Sequence, residues 1–296
     1  MSPAVRGSAV RREAQPSVAR RPDFPLPVWY SLLLAGVLVV ATGYGLLVDG
    51  AYPAPEGVRP TLPETLRGQD LVTLLAAVAL LWGAIRARAG SLAGHIVWLA
   101  VCLYVAYTYL MYVVAPYNDA LLLYIAAIGL ATYGLINGLF RLDPSAVAAA
   151  FADVPRRGIA WFLIVVAGLF ATLWLIDIVS VWPGGTPEDL FVYDIPSIVH
   201  VLDLAIVLPL LMLTGILLLR AHPVAPVLAA IVLTKTLTLG LALLSMNAFV
   251  AASGGVVDPA EPILWAAIVV VSLGWLIAGA RRMRPAPPPW LRPGVW

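Results

Sequence analysis

The sequence predicts an all-α bundle of eight membrane-spanning helices, and three observations predict it. The chain of 296 residues is 61% hydrophobic and only 11% charged, with a mean hydropathy of +0.93. Soluble domains run at about 45–50% apolar and about 25% charged. Eight apolar segments are long enough, at roughly 17–25 helical residues, to cross a hydrocarbon core of about 30 Å. The arginines, finally, alternate from side to side as those segments would require. Since backbone N–H and C=O groups find no water in lipid, helices rather than open strands must carry the crossings.

The spans fall, in order, at 28–48, 70–86, 93–115, 120–140, 159–181, 198–219, 225–249 and 263–280. Residues 1–27 are rich in Arg, Pro and Ser and bury too little apolar surface to fold alone, so a disordered basic tail is expected. The first apolar run has no small-x-small cleavage site, and it reads as a retained span rather than a signal peptide. With that tail inside the cell, the inner segments hold fifteen arginines and the outer loops only Arg59 and Arg67. Positive charge stays on the cytoplasmic side, so both termini are expected there. The Pro- and Arg-rich segment 281–296 reads as a second disordered cytoplasmic tail, leaving 28–280 as the membrane domain. The corresponding localisation is a bacterial inner membrane, crossed many times.

Matching features suggest that 28–141 and 159–282 are two copies of a four-helix unit. Trp29 and Trp161 open spans one and five, Asp49 and Asp177 close them, and Asp70-Leu71 and Asp203-Leu204 recur in spans two and six. Four crossings per copy would give parallel repeats about an axis along the membrane normal. Gly134-x-x-x-Gly138 in span four and Gly274-x-x-x-Ala278 in span eight read as helix-packing notches.

Lys235 is the only lysine, and it lies within the apolar run of span seven. A charge near mid-membrane costs at least about 2.5–3.5 kcal/mol on insertion scales, so it is expected to face the interior with a partner. Thr234, Thr238, Ala242 and Ser245 fall on roughly its face of the helix and suggest an inward polar stripe. Asp203 stands about five residues into span six, too deep for a helix cap, with His200 one turn before it. Asp177 at the outer end of span five could join them. Either a buried ion pair ties spans six and seven together, or the pair binds a solute or moves a proton. Pro209 is expected to kink span six and free the carbonyl of Ala205.

The remaining acidic residues crowd the outer face. Asp70, Asp119 and Asp194 stand near the starts of inward-running spans, where capping explains them, and Glu188 and Asp189 read as solvated loop charges. Arg67, Asp70 and Asp119 could alternatively line an outer vestibule. Tyr104, Tyr107, Tyr109, Tyr112 and Tyr117 read as an interfacial belt.

Several chemistries drop out. One cysteine, Cys102, excludes a disulfide framework and a dithiol redox pair. His-x-x-Asp offers two ligands where zinc takes three or four, so no metal is expected. No Walker loop, H-E-x-x-H or G-x-S-x-G pattern occurs, and no basic patch suggests nucleic acid. A membrane lysine can hold a retinal Schiff base, but rhodopsins carry it on the seventh helix, and here it would be the sixth after discarding span one. No cofactor is expected.

Arg67-Gly-Gln-Asp-Leu-Val-Thr-Leu and Tyr117-Asn-Asp-Ala-Leu-Leu-Leu-Tyr resemble stretches of a family of uncharacterised multi-span bacterial membrane proteins. That resemblance implies no activity. The residues themselves favour a small-solute or proton-coupled carrier with an outward-facing polar cavity. The alternatives are a membrane enzyme acting on a lipid or lipid-linked substrate, and a non-catalytic sensor or assembly subunit. Membrane lipid and a small solute or proton are the partners expected.

Overall fold

The computed structural model describes residues 28–56, 59–184, 191–192, 195–196, 198–286 and 290–291. Nine helices account for most of them. They are α1 (Val28–Leu47), α2 (Leu62–Arg88), α3 (Leu92–Val113), α4 (Leu121–Phe140), α5 (Pro144–Ala150), α6 (Arg156–Ser180), α7 (Ile198–Leu219), α8 (Ala225–Ala252) and α9 (Ala260–Arg282). All but the seven-residue α5 are long and apolar enough to cross a membrane. The chain is an all-α polytopic bundle, as its composition requires.

Two helices differ from the sequence expectation in ways that move functional residues. Helix α2 starts eight residues earlier than the apolar run, with Pro63 in its first turn and Glu64 beside the N-terminal dipole. Asp70 is therefore about 12 Å inside the helix rather than at its cap. In α7, residues Asp203–Val207 form a π turn, in which the N–H of Leu208 reaches back to the carbonyl of Asp203. Pro209 explains it: its ring would crowd the carbonyl of Ala205, and it supplies no N–H of its own. Widening the turn just before the proline relieves the crowding, and it places Asp203 at the irregularity.

Helices α2, α3 and α8 form the centre, and α3 is the most buried of the spans. Close approach depends on glycine where backbones meet. A Cβ on Gly68 would lie 2.6 Å from the Cα of Met246 on α8. Gly138 sits against Leu99 and Trp98 of α3, so the first glycine motif is a packing notch. Gly274 faces open space, so the second is not. Outward faces of α2, α4 and α6 expose large apolar side chains such as Leu75, Val78, Ile125 and Val165, as a lipid-facing surface requires.

Helix α1 packs closely on α4, whereas α6 meets α9 through long side chains such as Phe170 stacked on Trp265, centroids 5.0 Å apart. The first and last helices of each half thus meet, more closely in the first half than in the second. The segment after α9 is not a free tail where it is described. Trp290 is buried against His95, the backbone N–H of Asp143 donates to its carbonyl at 2.9 Å, and Arg284 pairs with Asp153 at 2.6 Å. Residues 1–27, Glu188, Asp189, Asp194 and 292–296 lie outside the described residues.

Candidate functional site

The structure brings four elements together around Asp203. Its carboxylate is buried and accepts two hydrogen bonds, from the Tyr107 hydroxyl of α3 at 2.8 Å and from the Trp174 indole N–H of α6 at 3.0 Å. The Trp174 ring lies on His200, centroids 4.3 Å apart. Beyond it, His200 Nε2 approaches Asp177 Oδ2 at 3.7 Å, and that aspartate side chain is half exposed. A polar file therefore leads from the surface at Asp177, past His200 and Trp174, to the buried Asp203.

Lys235 enters from the other side. Only 2% of its surface is exposed, and its Nζ lies 3.7 Å from the centroid of the Tyr107 ring. No hydrogen-bond partner meets that nitrogen among the described residues. The expected ion pair is thus replaced by an indirect link, with Tyr107 holding the ammonium on its face and the carboxylate by its hydroxyl. A cation over a desolvated aromatic face gains about 2 kcal/mol, which offsets part of the cost of burying an ammonium.

The polar stripe expected beside Lys235 forms only in part. Thr234 and Thr238 donate back into their own helix, Thr238 to the carbonyls of Thr234 and Lys235, each at 3.0 Å. These two threonines are only partly buried, whereas the Ser245 hydroxyl is shut off from solvent with no hydrogen-bond partner among the described residues, so Lys235 and Ser245 are the inward polar groups of that face. Thr238 does not join the Asp203 cluster.

A second buried carboxylate lies in the first half of the bundle. Asp70 is 1% exposed, accepting from Tyr112 at 3.0 Å and from Tyr52 at 2.5 Å. Tyr52 belongs to the loop after α1, which folds inward so that this residue is buried. Burial, and then the neighbouring Asp70 carboxylate, push the Tyr52 hydroxyl far above its ordinary range, so it remains a donor. Arg67, one turn earlier, donates from Nε to the carbonyl of Gly45 at 3.3 Å. Asp119 stays exposed at the start of α4, where Asn118 rather than Asp119 accepts the N–H of Ala120 at 3.0 Å. The three expected vestibule residues therefore separate: Arg67 and Asp70 share the wall, and Asp119 does not.

The tyrosine tract is the largest correction. Tyr104, Tyr107, Tyr109 and Tyr112 are all buried, and only Tyr117 is exposed. Tyr104 accepts from Gln69 Nε2 at 2.5 Å and lies 2.9 Å from the Thr73 hydroxyl. Helix α3 presents Tyr112 to Asp70 and Tyr107 to Asp203, a role that an aromatic belt would not have. His95 is likewise interior, its Nε2 3.1 Å from the carbonyl of Gly138. Among the described residues, no three His, Cys, Asp or Glu side chains converge as a metal site would require.

No family model, no curated protein and no solved structure matches this chain. Its function must be argued from the residues themselves.

Proposed function

We propose that this protein is a small-solute or proton-coupled carrier of the bacterial cell membrane, with Asp203, Lys235, Tyr107 and His200 at its site. The observation that carries this reading is the buried, unpartnered ammonium of Lys235 on the ring that also holds Asp203. Intramembrane ionisable groups are costly to insert and commonly mark solute and proton pathways. A purely structural pair would place the ammonium on the carboxylate. Here the ammonium keeps its donors free for a group that arrives, and the file from Asp177 through His200 supplies the approach. The resemblance of the Arg67 and Tyr117 stretches to multi-span bacterial proteins fits the location and adds no substrate.

A membrane enzyme is the second reading, supported by the two ring nitrogens of His200, neither of which has a hydrogen-bond partner among the described residues. A screen by thermal shift separates the readings from a structural role. Purified protein is melted with ions, amino acids, sugars and isoprenoid phosphates, alongside Lys235→Met. A solute present at about 100 times its Kd raises the stability of the native state by about 2.7 kcal/mol. Stabilisation of the wild type alone is the expected result. If no solute stabilises the wild type, and Lys235→Met melts far lower, Lys235 is structural and the carrier reading falls.

A further inference from the structure

On the arginine-rich side of the bundle, α3, α6, α8 and α9 line a half-open cavity of about 300 Å³. None of the Asp203 cluster lines it. Its walls are apolar, among them Ile96, Leu233, Leu237 and Trp275, and the hydroxyl of Thr234 is already spent on the carbonyl of Ala230 at 2.8 Å. Arg156 is the single charged residue in the lining, and its Nε is shut off from solvent with no hydrogen-bond partner.

Three properties fix what fits. Along α8 the lining runs from Pro226 to Leu237, which at 1.5 Å per residue is a depth of about 16 Å. That is half of a hydrocarbon core of about 30 Å, the reach of one leaflet. The mouth is cationic: Arg156 opens α6, Arg157 follows it, and Arg281 and Arg282 end α9, while Arg284 is already held by Asp153. The first turn of α6 also lacks a side-chain cap, since its N-cap is Pro155. Free N–H groups and the helix dipole there favour an anion beside the guanidinium.

We propose that this cavity binds an anionic phospholipid of the arginine-side leaflet, one acyl chain between α3, α8 and α9 and the phosphate at Arg156. The site is independent of the carrier reading, because its residues and its ligand are different.

Native mass spectrometry of the full chain in detergent tests it, with added phosphatidylglycerol, phosphatidylcholine of the same chains, or inorganic phosphate. Wild type should retain one phosphatidylglycerol, at least about fivefold more than phosphatidylcholine, and no phosphate. Arg156→Gln should lower that retention by about fivefold or more, removing the charge-assisted contact. Ala230→Phe should abolish it by filling the cavity while leaving the arginine in place. Arg88→Gln, an exposed arginine on the same side that does not line the cavity, should bind as wild type does. Circular dichroism and a single elution peak establish folding of each variant, and either Arg156→Gln or Ala230→Phe suffices if the other does not fold. Equal retention of both lipids by wild type overturns the proposal. So does a loss in Arg88→Gln as large as in Arg156→Gln, or wild-type retention in both cavity variants.

Discussion

Tyr107 joins the two charged residues that an apolar chain has most reason to avoid. Its hydroxyl and its ring do different work, so two substitutions separate them. Tyr107→Phe keeps the ring under Lys235 and removes one donor to Asp203, a loss of about 1.5–3 kcal/mol for a hydrogen bond to a charged group. Tyr107→Leu also removes the aromatic face and should cost about a further 0.5–2 kcal/mol. Thermal melts of both in detergent check the order: equal melting points would mean that the ring does not hold the ammonium. Lys235 and Asp203 themselves were legible in the sequence, because an ionisable residue inside an apolar run has few innocent explanations. Tyr107 and Trp174 were not. In a membrane chain an aromatic residue fits the interface, the lipid surface and the interior equally well, and only packing decides.

At the scale of elements, the sequence located helices better than it located their faces. A soluble helix advertises its buried side by contrast with a polar one, but these helices are apolar on both the lipid and the protein side, so that contrast vanishes. Thr238 illustrates the consequence: helical spacing put it with Lys235, yet its hydroxyl turns back to its own backbone. Asp70 illustrates another. Counting only apolar residues began α2 too late and made a buried carboxylate look like a cap. Glycine contacts give the clearest element-level prediction. Gly68→Ala places a methyl against the backbone of α8, and overpacking of this kind costs about 1–3 kcal/mol. Gly274→Ala, with nothing near it, should leave stability unchanged or raise it by about 0.5–1 kcal/mol, since alanine is the better helix former. If both substitutions are neutral, α2 and α8 are not in close backbone contact.

For the whole molecule, the arginine distribution assigns each loop to a side, and cysteine labelling reads that assignment directly. Cys102 is fully buried and supplies no background. Cysteines replacing Asp119 and Val256 should react with a membrane-impermeant maleimide added to intact cells, while those replacing Arg88 and Asp153 should react only after lysis. The reverse pattern would invert the bundle and turn the Asp177 end of the polar file toward the cytoplasm. Eight crossings were legible because length and hydropathy alone enforce them. The packing of Trp290 against His95 and Asp143 was not, since a Pro-rich segment carries no periodic signal and one aromatic residue anchors it.

In the proposed function, the interior of the bundle carries a solute or a proton through Asp203 and Lys235. Proteoliposomes enclosing a pH-sensitive dye test it most directly, with external pH steps and pulses of the solutes used in the thermal screen. Wild type is expected to move protons on its own or with a solute, and Asp203→Asn and Lys235→Met are expected to abolish that flux while remaining folded. A folded wild type that moves nothing, or variants that match its flux, would contradict the claim.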